Sequence, residues 1–549
     1  MSVKSAPTSP PRSILAVVTV GRWSHAFPIL EVCRVLHSRG HEIRLACCEG
    51  SQSTMMEKYP FISRVDAIAR CITPVEDEVY HHLLEDSDVR DSKGRADMLK
   101  VLQFMEGFWV EAHRSLDGLV QQHQDRPDLI FGDVLDLQAC KDVADRYSIP
   151  LATMHPQVPF NLESPSYMPG IPGFQLECLT SEHASILDRI YEQVFAVKML
   201  FSLRHHILWR RRLRREAGLP AAGLVRKPSH LYLINAFFGL DVPRALPPLV
   251  VPVGPILYED YPALDAGTAN FLNSHQKVVF IAFGTHVSMG GERFIKIARG
   301  VQAALASGHV DGVLWAIKRG GKQVDTTLAL GPEIHEILQD GTTTSNTHWR
   351  LLPWAPQRAI LDHPSTVAFI SHCGSSSVYE SVFHGVPVLG MPIFNDQFKH
   401  EKCLRAAGVG LGLDKNSFTP AELCDKLATL VNDPDGTVKR NCVRLKRIAA
   451  IQSKKKTYAA DLIEELMYDH ELRSDWNEHD DEWKTSGQSE TDSSRRSRRE
   501  LRPAHLQTAD ARMSFWKAQN YDLLFVYALV VLGPAVVVRT AWKLLSRTI

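Results

Sequence analysis

Between Ile370 and Glu380 the chain reads Ser371-His372-Cys373-Gly374-Ser375-Ser376-Ser377 and then turns helical. Apolar runs at residues 367–370 and 386–389 flank it. Both are short, β-branched or leucine-rich and bounded by turn residues, the mark of buried parallel strands. A helix starting at that turn aims unpaired N–H groups, and the positive end of its dipole, at the strand ends, which makes a seat for a diphosphate. Gly374 lets the backbone turn sharply and approach a ligand closely. His372 can donate a further hydrogen bond, and Glu380 can accept from two vicinal ribose hydroxyls. The spacing has a second reading: Ser377-x-x-Glu380 is a capping box, which the helix needs with or without a nucleotide.

Two residues of the first half stand at comparable places. His25 follows the apolar run 14–20, and Asp133 closes the run 127–133. Both lie at the C-terminal edge of an expected strand, where open α/β sheets bind ligands. By residue type alone His25 reads as a capping or packing histidine, and Asp133 reads equally as a helix N-cap or as a carboxylate at the right sheet edge to reach His25. The elements around them form an opening βαβ unit: strand 14–20, helix 29–38 ended by Gly40, strand 42–47. Strand 127–133 leads to a helix over 137–147 and a strand over 150–154, and a further strand spans 230–236. The aromatic segment 99–109 reads as core or as an acceptor-pocket wall. Residues 157–185 are a Pro/Gly-rich loop of the kind that closes over a substrate. A helix then runs to about Glu216 and ends in a dense basic run containing Trp209, which reads as a solvated face or, secondarily, a membrane-surface contact.

The stretch from Trp354 to Gln397 resembles the nucleotide-sugar signature of the UDP-glycosyltransferases, the family of plant secondary-product and animal drug-conjugating transferases. The matching residues are Trp354, Pro356 and Gln357, then His372, Cys373, Gly374, Ser377 and Glu380, then His384-Gly-Val-Pro387, and finally Asp396 and Gln397. The resemblance spans roughly residues 13–466. It implies that Trp354 stacks on uracil and Gln357 meets the uracil edge. It further implies that His372 and Ser377 hold the diphosphate, Glu380 the ribose, and Asp396 with Gln397 the sugar hydroxyls. Gly284 and Thr285, ending the apolar run from Lys277, correspond to a Gly-Ser or Gly-Thr pair near the donor diphosphate. His25 with Pro28 fits the family's catalytic His-x-x-Pro, and Asp133 its orienting carboxylate. One departure stands out: the family commonly carries Asn before the signature serine, and this chain has Ser376, shorter and with one donor instead of two.

The resemblance implies two facing Rossmann-like α/β domains, a GT-B fold, catalysing inverting transfer of a sugar, glucose being the expected one, from a UDP-sugar to a hydroxyl of an apolar small molecule such as a sterol, terpenoid, polyketide or lipid. His25 is the expected base, and no metal is expected to bridge the diphosphate. The alternatives are a UDP-sugar-binding membrane protein without turnover, or another two-domain UDP-sugar enzyme such as an epimerase. The expected organisation is a flexible N-terminus (1–12), an acceptor domain (13–248), a crossing (249–276), a UDP-sugar domain (277–467), a disordered charged linker (468–514) and a membrane anchor (515–549).

Composition fits this frame. The chain has 549 residues and zero formal net charge, so nothing global suggests nucleic acid. Its ten cysteines include no C-x-x-C pair, which reads as a reduced compartment. There is no N-x-Ser/Thr acceptor. The run 14–20 is followed by no small-residue cleavage site and reads as a strand, not a signal peptide. Residues 523–538 carry no charge. As a helix they rise about 24 Å, short of the roughly 30 Å hydrocarbon core, though Trp542, Arg539 and Lys543 could extend the span. The expectation is a single C-terminal transmembrane helix in the endoplasmic reticulum, with catalytic domains facing the cytosol.

Overall fold

The computed structural model describes the chain except for residues 1–9, 20–21, 87, 89, 123–125, 161, 163–164, 221–227, 285–286, 288–290, 318–347, 482–502 and 546–549. Its strands form two sheets. In the first, β1 (Ser13–Val18), β2 (Glu42–Cys48), β3 (Arg64–Ala69), β4 (Leu129–Asp133), β5 (Leu151–His155), β6 (Leu231–Ile234) and β7 (Val250–Pro252) lie in the order β3-β2-β1-β4-β5-β6-β7. In the second, β8 (Val278–Ala282), β9 (Gly312–Ala316), β10 (Trp349–Leu352), β11 (Thr366–Ser371), β12 (Val388–Gly390) and β13 (Gly410–Gly412) lie in the order β10-β9-β8-β11-β12-β13. The ladders are parallel, as in β1 with β2 and β4, or β11 with β8 and β12. Helices cover both faces, so central strands are apolar throughout; every residue of β8 is buried.

The helices that matter for the cleft are α1 (Arg22–Ser38), α2 (Leu137–Tyr147), α3 (Ile186–Glu216), α4 (Gln357–Asp362), α5 (Ser375–His384), α6 (Gln397–Ala406), α7 (Thr437–Gln452), α8 (Lys456–Asp481) and α9 (Tyr521–Leu545). α1 begins seven residues earlier than the helix expected over 29–38, an expectation that left Pro28 in the preceding turn. It sits inside the helix instead. Phe27, Ile29 and Leu30 are buried around it, and that packing carries the helix past the lost N–H. His25 therefore lies on the first helical turn, not in a loop.

The two lobes share a core in which Tyr232 and Phe237 join Phe369 and Tyr379. Across it a buried Lys399–Asp241 ion pair closes at 2.7 Å. The chain then crosses back: Ala459, Ala460, Ile463 and Leu466 of α8 enter the first core beside Ile29, Leu30 and Cys33 of α1. Arg39 pairs with Asp461 at 2.6 Å, and His41 with Glu464 at 2.9 Å. α8 continues to Asp481, so residues 468–481, expected in a disordered linker, are helical.

The anchor expectation needs correction. A helix does form over Tyr521–Leu545. Among the described residues, however, no helix is long and apolar enough to cross a membrane. Asp522 at its start, with Arg539 and Lys543 near its end, leaves an uncharged stretch shorter than the hydrocarbon core.

Candidate active site

The C-terminal ends of β1, β4, β5, β8 and β11 converge on one cleft of about 1770 Å³ between the lobes. This is where parallel strands leave backbone groups and following helices aim their N-termini. Its first-lobe wall carries His25. The His25 Nδ1 lies 2.8 Å from Asp133 Oδ1. A carboxylate only accepts, so Nδ1 carries the hydrogen and Nε2 keeps the free lone pair. Asp133 is 1 % exposed, and its Oδ2 accepts the Leu135 N–H at 2.8 Å. The capping and orienting readings of this residue are thus both realised, one oxygen each. Burial pulls the His25 pKa down, but the charge and hydrogen bond of Asp133 outweigh it, with Asp396 and Asp136 adding to the rise. That Asp396 contributes places a second-lobe carboxylate within electrostatic reach of the His25 ring.

Asp136 is a residue the sequence reading missed. It is buried one helical turn beyond Asp133. Its Oδ2 accepts the Thr19 N–H at 2.9 Å and its Oδ1 accepts the Thr19 hydroxyl. It therefore ties the turn after β1, which leads to His25, to the turn after β4, which holds Asp133. Burial and the neighbouring Asp133 push its pKa up to about 7. The signal available in sequence was a second aspartate three residues after the first, at a strand–helix junction.

Farther back, the Thr153 hydroxyl lies 2.9 Å from His155 Nε2 and 3.1 Å from His230 Nε2. Burial holds the His155 pKa at about 4, so this ring is neutral. Around these groups the wall is apolar: Leu102, Phe104, Met105 and Trp109 line it, with Phe160 and Phe174 from the 157–185 loop. The segment 99–109 is thus a pocket wall, and the Pro/Gly-rich loop closes over it.

On the second lobe, β11 ends at Ser371 and α5 begins at Ser375. The sharp turn falls on Cys373, whose φ is +64°, not on Gly374, whose φ is −60°. Gly374 is needed for space: a Cβ there would sit 2.4 Å from His372 Nε2, and one on Gly284 would sit 2.8 Å from His372 Cε1. The two glycines clamp the imidazole edge, Gly284 also adopting a φ of +70°. Burial pushes the His372 pKa down to about 4, and its buried Nδ1 has no partner among the described residues.

The capping box expected at Ser377 is not formed. Gly374 is the N-cap, so Ser377 lies inside α5. Glu380 instead meets Gln357: the amide Nε2 donates to Glu380 Oε2 at 2.7 Å and to Ser377 Oγ at 3.2 Å. Burial lifts the Glu380 pKa to about 7 despite that bond. Gln397 accepts the N–H groups of Ile393 and Phe394 through Oε1, at 2.8 and 3.0 Å. That assignment leaves its Nε2 as a donor. Asp396 precedes α6 and Trp354 is 62 % exposed, its ring face open. Gly284, Trp354, Gln357, His372, Gly374, Ser376, Ser377, Glu380, Asp396 and Gln397 all line the same cleft as His25. Thr285 lies outside the described residues. Among the described residues no group of three His, Cys, Asp or Glu could hold a metal ion.

Comparisons with known proteins agree with this arrangement. The family described as "UDP-glucoronosyl and UDP-glucosyl transferase" matches residues 14–456. The chain is 41 % identical to UDP-glycosyltransferase stmC of Aspergillus ustus, over 98 % of each chain. It is 45 % identical to UDP-glycosyltransferase 1 of Phaeomoniella chlamydospora, over 87 % of this chain and 93 % of the other. Among solved structures it superposes on LpCGTa in complex with UDP at TM-score 0.54 and 19 % identity, covering 83 % of this chain and 98 % of that one. Phytolacca americana UGT2, complexed with UDP-2fluoro-glucose and pterostilbene, gives 0.53 at 18 % identity, covering 85 % and 100 %. These two likenesses establish the two-lobed GT-B fold.

Proposed function

This chain belongs to the UDP-glucoronosyl and UDP-glucosyl transferase family, and from that premise we propose that it is an inverting glycosyltransferase acting on a hydroxyl of an apolar small molecule. It is a glycosyltransferase using a UDP-sugar; the stereochemistry, the acceptor class, glucose as the sugar and the residue roles are our reading. The observation that carries it is the His25–Asp133 pair at 2.8 Å, facing the cradle of His372 and α5 across a single cleft.

In this reading the acceptor hydroxyl lies between His25 Nε2 and the anomeric carbon. The oxygen attacks that carbon on the face opposite UDP. Its proton passes to Nε2 as the new C–O bond forms, and the bond to UDP breaks with its electron pair leaving on the diphosphate. Asp133 holds the tautomer and offsets the imidazolium charge. The growing charge on UDP meets the first-turn N–H groups of α5 and a proton on the His372 ring, donors fixed in place beforehand. The neutral His372 ring is suited to this as a hydrogen-bond donor. Trp354 would stack on uracil, Glu380 would accept from the ribose hydroxyls, and Asp396 with the Gln397 Nε2 would reach the sugar. Phe104, Trp109, Phe160 and Phe174 supply the apolar acceptor wall.

The test is the His25→Ala variant, assayed with several UDP-sugars against a panel of apolar acceptors, with a chelator present throughout. Transfer is expected to fall about 10²–10⁴-fold while UDP still binds, and the parent enzyme is expected to turn over in chelator. Unchanged transfer by the variant removes His25 from the mechanism. Retention of anomeric configuration in the product removes the inverting step.

A further inference from the structure

We propose that the outer face of α3 is a docking surface for an anionic lipid bilayer. The helix is 31 residues long and is started by a complete capping box: Ser185 Oγ accepts from Asp188 N at 3.1 Å, and Asp188 Oδ2 accepts from Ser185 N at 2.9 Å. Its inner face buries Phe195, Met199 and His206. Its outer face exposes Leu187, Ile190, Val194, Val197, Phe201 and Leu208, each between 46 and 76 %. The first five recur at three- and four-residue steps and Leu208 follows seven residues later, so they form one straight stripe. From Leu187 to Leu208 it extends about 32 Å along the helix.

The charges beside the stripe decide what covers it. By their positions on the helical wheel, Lys198 lies along one border, Arg204 and Arg211 along the other, and Arg212 continues the line of the stripe beyond Leu208. The Arg204 guanidinium sits 5.0 Å from the Phe201 ring centroid. Lys198, Arg204, Arg211 and Arg215 have no ion pair among the described residues; Arg212 is paired with Glu216 at 2.8 Å. A second copy of this helix seated on the stripe would bring these cations against their own kind. A lipid surface with acidic headgroups receives them, while the apolar stripe enters the acyl boundary.

The stripe also adjoins the cleft. Leu200, Leu203 and Ile207, on the neighbouring face of the same helix, line the cavity. Docking in this orientation sets the rim of the cavity at the lipid boundary, so an acceptor dissolved in the bilayer would cross one helix width to enter. That consequence rests on the apolar-acceptor reading; the docking itself does not.

The experiment is flotation of the full chain with phosphatidylcholine vesicles, with and without phosphatidylserine. The chain is expected to float with the serine-containing vesicles and to be released by salt. Val197→Asp with Phe201→Asp, neither of which lines the cavity, should lower the bound fraction more than about tenfold. Lys198→Glu with Arg204→Glu should abolish the preference for phosphatidylserine. Both variants should keep the melting temperature and the rate toward a water-soluble acceptor. A Phe525→Asp variant in α9 serves as control for binding by the C-terminal helix and should retain the stripe's contribution. The proposal is overturned if the parent ignores anionic vesicles, or if the Val197/Phe201 variant floats as the parent does. It is overturned equally if sedimentation shows a dimer that this variant dissolves. Because the vesicle assay contains no sugar donor or acceptor, its failure is separate from failure of the transferase reading.

Discussion

The two walls of the cleft are built on different plans. The first-lobe wall is closed on itself: His25 is already bonded to Asp133, Asp133 to the chain at Leu135, and Asp136 to both polar hydrogens of Thr19. The second-lobe wall is held by shape. His372 is clamped between two glycines with a buried nitrogen left over, and Gln357 and Glu380 hold each other. A base needs its tautomer fixed before the substrate arrives, so its partners are satisfied internally. A cradle needs donors it can still give away, so its positions are fixed by packing and its hydrogen bonds are kept in reserve.

This contrast can be broken one side at a time. His25→Ala removes the chemistry and spares UDP binding, the largest effect on turnover. Gly374→Ala attacks the other side: its methyl displaces His372, and loss of that donor to a charged phosphate should weaken UDP roughly 10- to 100-fold by calorimetry, with the His25 acid limb of the pH profile unmoved. A smaller effect is expected at Glu380. Its carboxyl titrates near 7, and only the ionised form accepts from both ribose hydroxyls, so UDP-sugar affinity should rise as pH climbs through about 7. Glu380→Gln should flatten that dependence. The smallest effect belongs to Asp136→Asn. Asp136 helps hold the His25 pKa above its ordinary value, and His25 must be neutral to take a proton. Activity therefore falls as pH drops through that raised pKa, and removing the Asp136 charge should move this limb of kcat/KM to lower pH. A limb that stays in place would show that Asp136 acts only as a tether.

What could be read from sequence followed the range of the interactions. The strand–turn–helix around Gly374 was legible because a strand buried on both faces is a continuous apolar run, and because its small polar turn is contiguous. Ser377-x-x-Glu380 misled for the converse reason. The local pattern fits a cap, but the partner Glu380 takes is Gln357, 23 positions away. Asp136 escaped notice because its partner Thr19 is 117 positions away. Gly374 marks the right site, but the positive φ of the turn belongs to Cys373, and what a side chain at Gly374 would strike is His372. Pro28 was expected in the turn before a helix and is an interior residue carried by burial. The span 523–538 gave a helix, but hydropathy along a short window did not make it a membrane crossing.

The return of α8 onto α1 has a mechanical consequence. The polypeptide passes between the lobes twice, once through residues 249–276 and again where α7 gives way to α8. Two covalent straps act as a paired pivot that resists sliding or twisting, and any swing about it must part the shared core and the Lys399–Asp241 pair. Because α8 is pinned to α1 by Arg39 and His41, the helix bearing His25 would travel with it, and each swing would carry the general base toward or away from the anomeric carbon along a fixed arc.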